Sequence, residues 1–340
     1  MLSLPDFQAK TLLLIFSDQH HLRFGNENLI LEDKQRKEVI NQVSCHKLFA
    51  VYLIGNATLT SVLLEKAQKY AFSVFFLKAN FLPYAQVGAP TEGNTLLKKK
   101  QYLQGKQHQL ARQLVHNKIH NQRENLKKLR PKSPALKDSL RKMKQWIDTL
   151  YKIDQNDLLL GMEGNASKIY FKHYFEPLGW TWRKPRTRCD PVNTLLDIGY
   201  TLLFHFIEAQ LRLYGFDPYQ GIYHRLFYQR KSLVCDLVEP FRPIIDHCLR
   251  NAYQRKQFKK EDFEIRKGRH ELKSKKRRPY TQTFATALLA NKESIFRYIQ
   301  AYYRAFMQEK PPHAYPYFDL CSSSVTTFPT TKSEPDSPNT

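Results

Sequence analysis

The chain has no apolar run near the roughly 18 residues that a membrane span requires; stretches such as Leu12 to Phe16 are far shorter. It also lacks the basic start, longer apolar stretch and small-residue cleavage site of a secretory leader, since Met1 to Lys10 followed by Thr11 supplies none of them. A soluble, cytoplasmic protein is expected. Cysteine is scarce: Cys45, Cys189, Cys235, Cys248 and Cys321 are widely scattered, with no pair at the two-residue gap of a zinc knuckle or redox centre. That argues against a disulfide framework or thiolate zinc, and no basic neighbour in sequence activates Cys235. Gly55-Asn56 is followed by no glycine-rich loop, so no phosphate cradle of a nucleotide fold is present. Acidic residues are in deficit, 31 Asp+Glu against 54 Lys+Arg, giving a net charge of +23. Such a field attracts nucleic acid or an anionic membrane surface. The absence of a long basic amphipathic helix with aromatic anchors argues against the membrane.

A chain of 340 residues suits two domains, each with its own core. Short apolar runs predict strands at 11–16, 20–24, 28–31, 48–54 and 72–77, with Gly25-Asn26-Glu27 as a hairpin turn. Leu59, Leu63, Leu64 and Ala67 predict a helix at 60–70, so the strand, helix, strand order over 48–77 permits a right-handed crossover. Pro83 to Gly93 mixes proline, glycine and polar residues as a linker does. Beyond it, Leu97, Leu103, Leu110 and Leu114 predict a long Lys/Gln-rich helix, and Leu136, Leu140, Met143, Ile147 and Leu150 recur at helical spacing. Asp190 as N-cap, Pro191 in the first turn, apolar residues over 192–214 and Gly215 at the end predict a central helix. Its His205 and Glu208 read as a hydrogen-bonded pair rather than as ligands. The twelve Lys and Arg of residues 255–278 read either as a flexible solvated segment or as a nucleic-acid contact. The expected fold class is α+β: an N-terminal β domain over 1–85, a linker over 86–94, a larger all-α domain over 95–310, and a disordered, Pro/Ser/Thr-rich tail over 311–340.

Three distant stretches each offer one hard metal ligand: Glu163 in Leu160-Gly161-Met162-Glu163-Gly164-Asn165-Ala166, His224 in Gly221-Ile222-Tyr223-His224, and Glu239 in Asp236-Leu237-Val238-Glu239-Pro240-Phe241-Arg242-Pro243. Two carboxylates and an imidazole suit Mg²⁺ or Mn²⁺. Each residue also has a plainer reading. Gly161 and Gly164 flank Glu163 in a helix over 157–175 at a cost of about 1 kcal/mol each, which either tight helix packing or close approach of a backbone or phosphate explains. His224 follows the turn formers Asp217-Pro218 and Gly221, and a loop histidine is either a packing residue or a ligand. Asp236, Glu239 and Arg242 share a face if 232–239 is helical, as an ion pair or as a ligand with its companions. His116 and His120, four apart, are a rival zinc pair without the glutamate of a zinc-protease motif.

Taken together, these frames resemble the CRISPR spacer integrases, the Cas-one proteins of the adaptation module. The matching stretches are 160–166 leading to Tyr170-Phe171; Asp190-Pro191-Val192-Asn193 with Leu195-Leu196 and Gly199-Tyr200; 221–224; and 232–243, in the family's order. The first 90 residues match only in strand order and the Ile54-Gly55 step. The resemblance implies a β domain that dimerises and a helical domain in which Glu163, His224 and Glu239 bind one Mg²⁺ or Mn²⁺ ion, with the role of Asp236 open. It implies attack by the 3′-hydroxyl of a short DNA fragment on a phosphodiester of a repeat array, in a homodimer working with the small Cas-two protein. Arg225, Lys231, Lys275, Lys276, Arg277 and Arg278 are the expected contacts to double-stranded DNA. Two other readings are a metal-dependent nuclease on branched DNA without integration, and a non-catalytic nucleic-acid scaffold whose glutamates pair with arginines.

Overall fold

The computed structural model describes residues 3–329 except 19, 57–59, 89–93, 104–107, 154, 181 and 225–226. After a short helix α1 (Leu4–Gln8), the N-terminal part forms two sheets. One has the order β1 (Thr11–Phe16), β5 (Leu48–Ile54), β6 (Ser73–Leu77), β7 (Pro83–Val87), the first three parallel and β7 antiparallel. Helix α2 (Ser61–Lys69) joins β5 to β6, as the strand, helix, strand order anticipates. The other sheet is an antiparallel meander of β2 (His20–Gly25), β3 (Asn28–Asp33) and β4 (Val39–Ser44). Asn26 and Glu27, with φ of 45° and 60°, make the tight turn between β2 and β3.

Strand β7 occupies the start of the segment read as a linker; the sequence hides it because it opens on proline and carries no apolar run. The rest of that linker, residues 89–93, lies outside the described residues. The expectation of two separate cores also needs correction. Leu13, Ile15, Val51, Leu53 and Leu63 form a core within the N-terminal part, but Tyr52, Ile54 and Phe75 join the core of the helical part. Strand β5 is therefore buried along its whole length, and the Tyr52 hydroxyl donates to the Leu202 carbonyl at 3.1 Å.

The helical part contains α3 (Thr95–Leu103), α4 (His108–Lys127), α5 (Pro134–Thr149), α6 (Asn156–Phe175), α7 (Pro191–Tyr214), α8 (Ser232–Val238), α9 (Arg242–Gln254), α10 (Ser274–Ala290) and α11 (Lys292–Met307). Helix α7 is central, and its ends follow the sequence signals. The Asp190 carboxylate accepts from the Asn193 amide at 2.8 Å, and Gly215 closes the helix at φ 88°. Among the described residues, no helix is long and apolar enough to cross a membrane.

Two hairpins interrupt the expected all-α domain and tail. β8 (Phe263–Arg266) and β9 (Arg269–Leu272) pair across Lys267 and Gly268, whose φ values of 49° and 72° suit a two-residue hairpin turn. The basic run 255–278 is thus largely ordered into this hairpin and the start of α10. β10 (Pro316–Asp319) pairs with β11 (Ser324–Thr327), so the tail expected to be disordered from 311 folds at least to 327; residues 330–340 lie outside the described residues. Aromatic anchors explain this. Tyr315, Tyr317 and Phe318 are buried, and Asn117 of α4 clamps the Phe318 backbone, donating to its carbonyl at 2.7 Å and accepting from its amide at 2.9 Å.

Replacing Asn117 with Ala leaves that buried amide unpaired and the Phe318 carbonyl with Asn121 as its only side-chain donor. It should cost about 1–3 kcal/mol, read by urea denaturation; an unchanged midpoint would show that the hairpin is not anchored there.

Candidate metal centre

Helix α6 presents Glu163 towards α4, and a tight turn between α8 and α9 presents Glu239 to the same place. The two carboxylates converge on one cation. The Lys118 ammonium of α4 pairs with Glu163 Oε1 and lies 2.6 Å from Glu239 Oε2. All three side chains are nearly buried, with 9%, 14% and 6% exposure for Lys118, Glu163 and Glu239. Arg242 approaches Glu239 Oε1 at 3.1 Å, so the ion pair read from the spacing is present, but Lys118 was not anticipated. The Tyr223 hydroxyl donates to Glu163 Oε2 at 2.6 Å. Burial alone would raise the Glu163 pKa; the charge and hydrogen bond of Lys118, the Tyr223 hydroxyl and nearby His224 outweigh it and bring it down to about 2. Glu163 is therefore a carboxylate at neutral pH.

The loop that carries His224 is built around Asp236. This fully buried carboxylate accepts from the amides of Ile222, Tyr223 and His224 at 2.6, 3.1 and 2.9 Å, and from His224 Nδ1 at 2.6 Å. The imidazole is thereby fixed with Nε2 as the nitrogen that Asp236 does not engage, the arrangement a carboxylate gives a metal-binding histidine. Gly221 is required by this packing, since a Cβ there would lie 2.6 Å from Ser232 Cβ and 2.8 Å from Asp236 Oδ2. Asp236 and Glu239 thus serve different partners despite their spacing.

The glycines beside Glu163 separate the two explanations offered for them. A Cβ at Gly161 or Gly164 would meet nothing within 4 Å, so tight packing inside the chain is not the reason for either. Both positions face open space on the surface of α6. Glu239 Oε2 faces the ammonium as an ion pair but makes no hydrogen bond, which leaves a buried acceptor atom turned towards a cation. This donor set fits a hard divalent ion. As they stand, no three His, Cys, Asp or Glu side chains among the described residues are grouped so as to hold one; an ammonium lies between the two glutamates instead.

A buried polar network supports the centre from below. Asp246 of α9 accepts from the hydroxyls of Tyr170 (α6) at 2.9 Å and Tyr200 (α7) at 2.5 Å. Asn125 of α4 donates to Tyr170 Oη at 3.1 Å and to the Pro243 carbonyl at 2.9 Å. Asn121 donates to the carbonyl of Pro240, next to Glu239, at 3.0 Å. The legible trace of this arrangement was the recurrence of Asn117, Lys118, Asn121 and Asn125 at helical spacing among apolar residues of α4; polar groups on a buried face require partners.

The remaining candidates divide. His116 and His120 pack against Tyr317, with ring centroids 5.6 Å away from each, and no zinc group forms among the described residues. His205 and Glu208 are hydrogen bonded at 3.2 Å, as read from the sequence. Lys231 is not a surface contact. It is drawn into a pair with buried Glu208 at 2.8 Å and to Gln86 of β7 at 2.6 Å. Arg277 is buried, 3.7 Å from Asp18, and Lys276 pairs with Asp262 at 3.1 Å. Lys275 and Arg278 are exposed, and Arg225 lies outside the described residues.

The family described as "CRISPR associated protein Cas1" matches residues 13–286. A "CRISPR-associated endonuclease Cas1 1" of Thermodesulfovibrio yellowstonii is 34% identical over 228 residues, 63% of this chain and 71% of that protein. Among solved structures, a "Cas6-RT-Cas1--Cas2 complex" superposes with a TM-score of 0.78 at 23% identity over 92% of this chain, which spans only 36% of that one. A "casposase bound to integration product" superposes with a TM-score of 0.73 at 20% identity, covering 88% of this chain and 91% of that one. At these identities the structures establish a shared fold.

Burial is the main cause that raises the Asp246 pKa from 3.8 to about 6, against the two tyrosines, Arg242 and Arg183. The folded state therefore holds this proton more tightly than the unfolded chain, and the group's contribution to stability falls as pH rises between those values. Asp246→Asn should flatten that segment of the stability profile relative to wild type, by up to about 3 kcal/mol across it. Urea midpoints from pH 4 to 7 read this; parallel profiles for the two proteins would refute it.

Proposed function

The chain belongs to the Cas1 family of CRISPR-associated proteins, and from that premise we propose that it is the metal-dependent endonuclease and integrase of CRISPR adaptation. Its substrate is the 3′-hydroxyl end of a short DNA fragment, joined to a phosphodiester of a repeat array. The observation that carries this reading is the convergence of Glu163 and Glu239 on a single cation, beside a histidine anchored by Asp236. Glu163, His224 and Glu239 would hold one Mg²⁺ or Mn²⁺ ion. When bound, such an ion polarises the phosphodiester and stabilises the leaving oxygen.

The chain's own residues prepare that chemistry. Asp236 keeps His224 in one orientation and one tautomer. Tyr223 and Lys118 keep Glu163 ionised. Gly161 and Gly164 keep the α6 surface near it in the chain bare, so that a DNA backbone can approach that helix closely. Arg242 balances Glu239 and stacks its guanidinium 4.8 Å from the Tyr200 ring. Phosphate passes from one oxygen to another with no covalent enzyme intermediate, so positioning and electrostatics supply the rate.

Double-stranded DNA would be held mainly through its backbone by the positive surface. The exposed basic groups in this half of the molecule include Lys275 and Arg278, with Arg266, Lys267 and Arg269 at the tip of the β8–β9 hairpin. Arg266 and Arg269 stand opposite each other in that ladder; Glu264, 2.9 Å from Arg266, offsets part of this like-charged pairing, and phosphate would relieve the rest. A homodimer working with a Cas2 protein is the assembly this reading carries.

Alanine at Glu163, His224 or Glu239 should abolish joining of a labelled fragment to a supercoiled plasmid bearing a repeat, while DNA affinity measured without divalent metal should be equal or higher in the two glutamate variants because a carboxylate no longer repels the backbone. Cleavage without joining in the wild type, with the partner present, would leave only the nuclease; unchanged activity in all three variants would leave only a scaffold. Reversing Arg266, Lys267 and Arg269 to Glu should weaken duplex binding and lower the slope of log affinity against log salt by about 0.9 for each phosphate no longer neutralised. An unaltered slope would remove the hairpin from the DNA path.

A further inference from the structure

Lys118 does more than balance charge, because its position is unusual. A lysine ammonium is seldom taken so far from water, and this one stands between two carboxylates that come from different segments of the chain. The helix that carries it is anchored on both sides of the residue. Asn117 on one side and Asn121 one turn on are tied to the Phe318 backbone, and Asn121 also to the turn bearing Glu239. The ammonium and a divalent ion compete for the same carboxylate oxygens. A magnesium ion requires such oxygens at about 2.1 Å in near-octahedral order, whereas Glu239 Oε2 is engaged at 2.6 Å by Lys118. No group of three ligating side chains is assembled among the described residues.

We propose that Lys118 is a resident cation which fills the place between Glu163 and Glu239 and must withdraw before a divalent ion can bind. This rests on the reading of Glu163, His224 and Glu239 as the ligands of that ion. While it is in place, Lys118 keeps two buried carboxylates together without metal and lowers the affinity of the site for any second cation. On withdrawing it keeps its charge and needs a new counter-charge. Gly161 and Gly164 leave the α6 surface before and after Glu163 clear of other side chains, and a DNA phosphate brought to that surface supplies the counter-charge. DNA therefore assists the exchange, so metal and DNA each strengthen binding of the other by the same factor, and Lys118 is the group through which they are coupled.

The experiment is binding of Mn²⁺ to the full chain, followed by the electron paramagnetic resonance signal of free Mn²⁺, with and without a short DNA duplex. Lys118→Met should bind Mn²⁺ about tenfold or more tightly than wild type in the absence of DNA. DNA should tighten Mn²⁺ binding to wild type by a similar factor and change it little in the variant. Lys118→Arg, which keeps the charge, should bind no more tightly than wild type. If Lys118→Met does not fold, Lys118→Gln removes the charge and retains a donor, and its melting temperature should rise with Mn²⁺ by more than that of wild type. Equal or weaker binding in the uncharged variants overturns the inference. If wild type meanwhile binds one Mn²⁺ that is lost in Glu163→Gln, the assignment of the metal ligands survives. Absence of Mn²⁺ binding in wild type and every variant overturns both.

Discussion

Burying two carboxylates side by side is unfavourable unless a cation comes with them, because their repulsion is weakly screened away from water. Glu163 and Glu239 meet this condition through α4, which brings Lys118 between them. The same helix is where several parts of the molecule are joined. Asn117 holds the C-terminal hairpin, Asn121 holds the turn after α8, and Asn125 reaches Tyr170 of α6 and the start of α9. Amide side chains suit this task because each can donate to a carbonyl that irregular backbone leaves without a helical partner. The position of the two acids is thus set by hydrogen bonds from one buried polar stripe to segments far away along the chain.

A second arrangement ties the centre to the N-terminal sheets. Lys231 stands just before α8, the helix that carries Asp236 and leads to Glu239, and it reaches both Glu208 of α7 and Gln86 of β7. Glu208 also receives His205 and Arg212. Strand β5 lies against α7 with Tyr52 bonded to its backbone. The N-terminal part is therefore packed into the framework that positions the acids, not merely appended to it. This explains why the core of the helical part extends into the N-terminal sheet, beside a second core that lies within the N-terminal part.

Much of this was legible before the structure. The caps of α7, the strand, helix, strand crossover over 48–77, the helical setting of Glu163 and the loop setting of His224 follow from local rules about proline, glycine, side-chain capping and apolar spacing. The failures have particular causes. β7 and the hairpins carry too few apolar residues in too short a span to register as strands. The C-terminal segment is rich in proline and serine, yet Tyr315, Tyr317 and Phe318 are enough to dock it. Lys231 and Arg277 count as surface charge by composition, but each has an acidic partner far away in sequence.

The sequence by itself determined the α+β order and the central helix, and it put forward the two acids and the histidine as candidates, because these depend on residue types within a few positions of one another. Only the tertiary structure decided what stands between the acids, which carboxylate holds the histidine, and which lysines remain exposed. Those outcomes depend on pairs of residues such as Lys118 with Glu239, or Lys231 with Glu208. A charge so placed is settled by whatever partner folding brings within hydrogen-bond reach, and no local pattern encodes that partner.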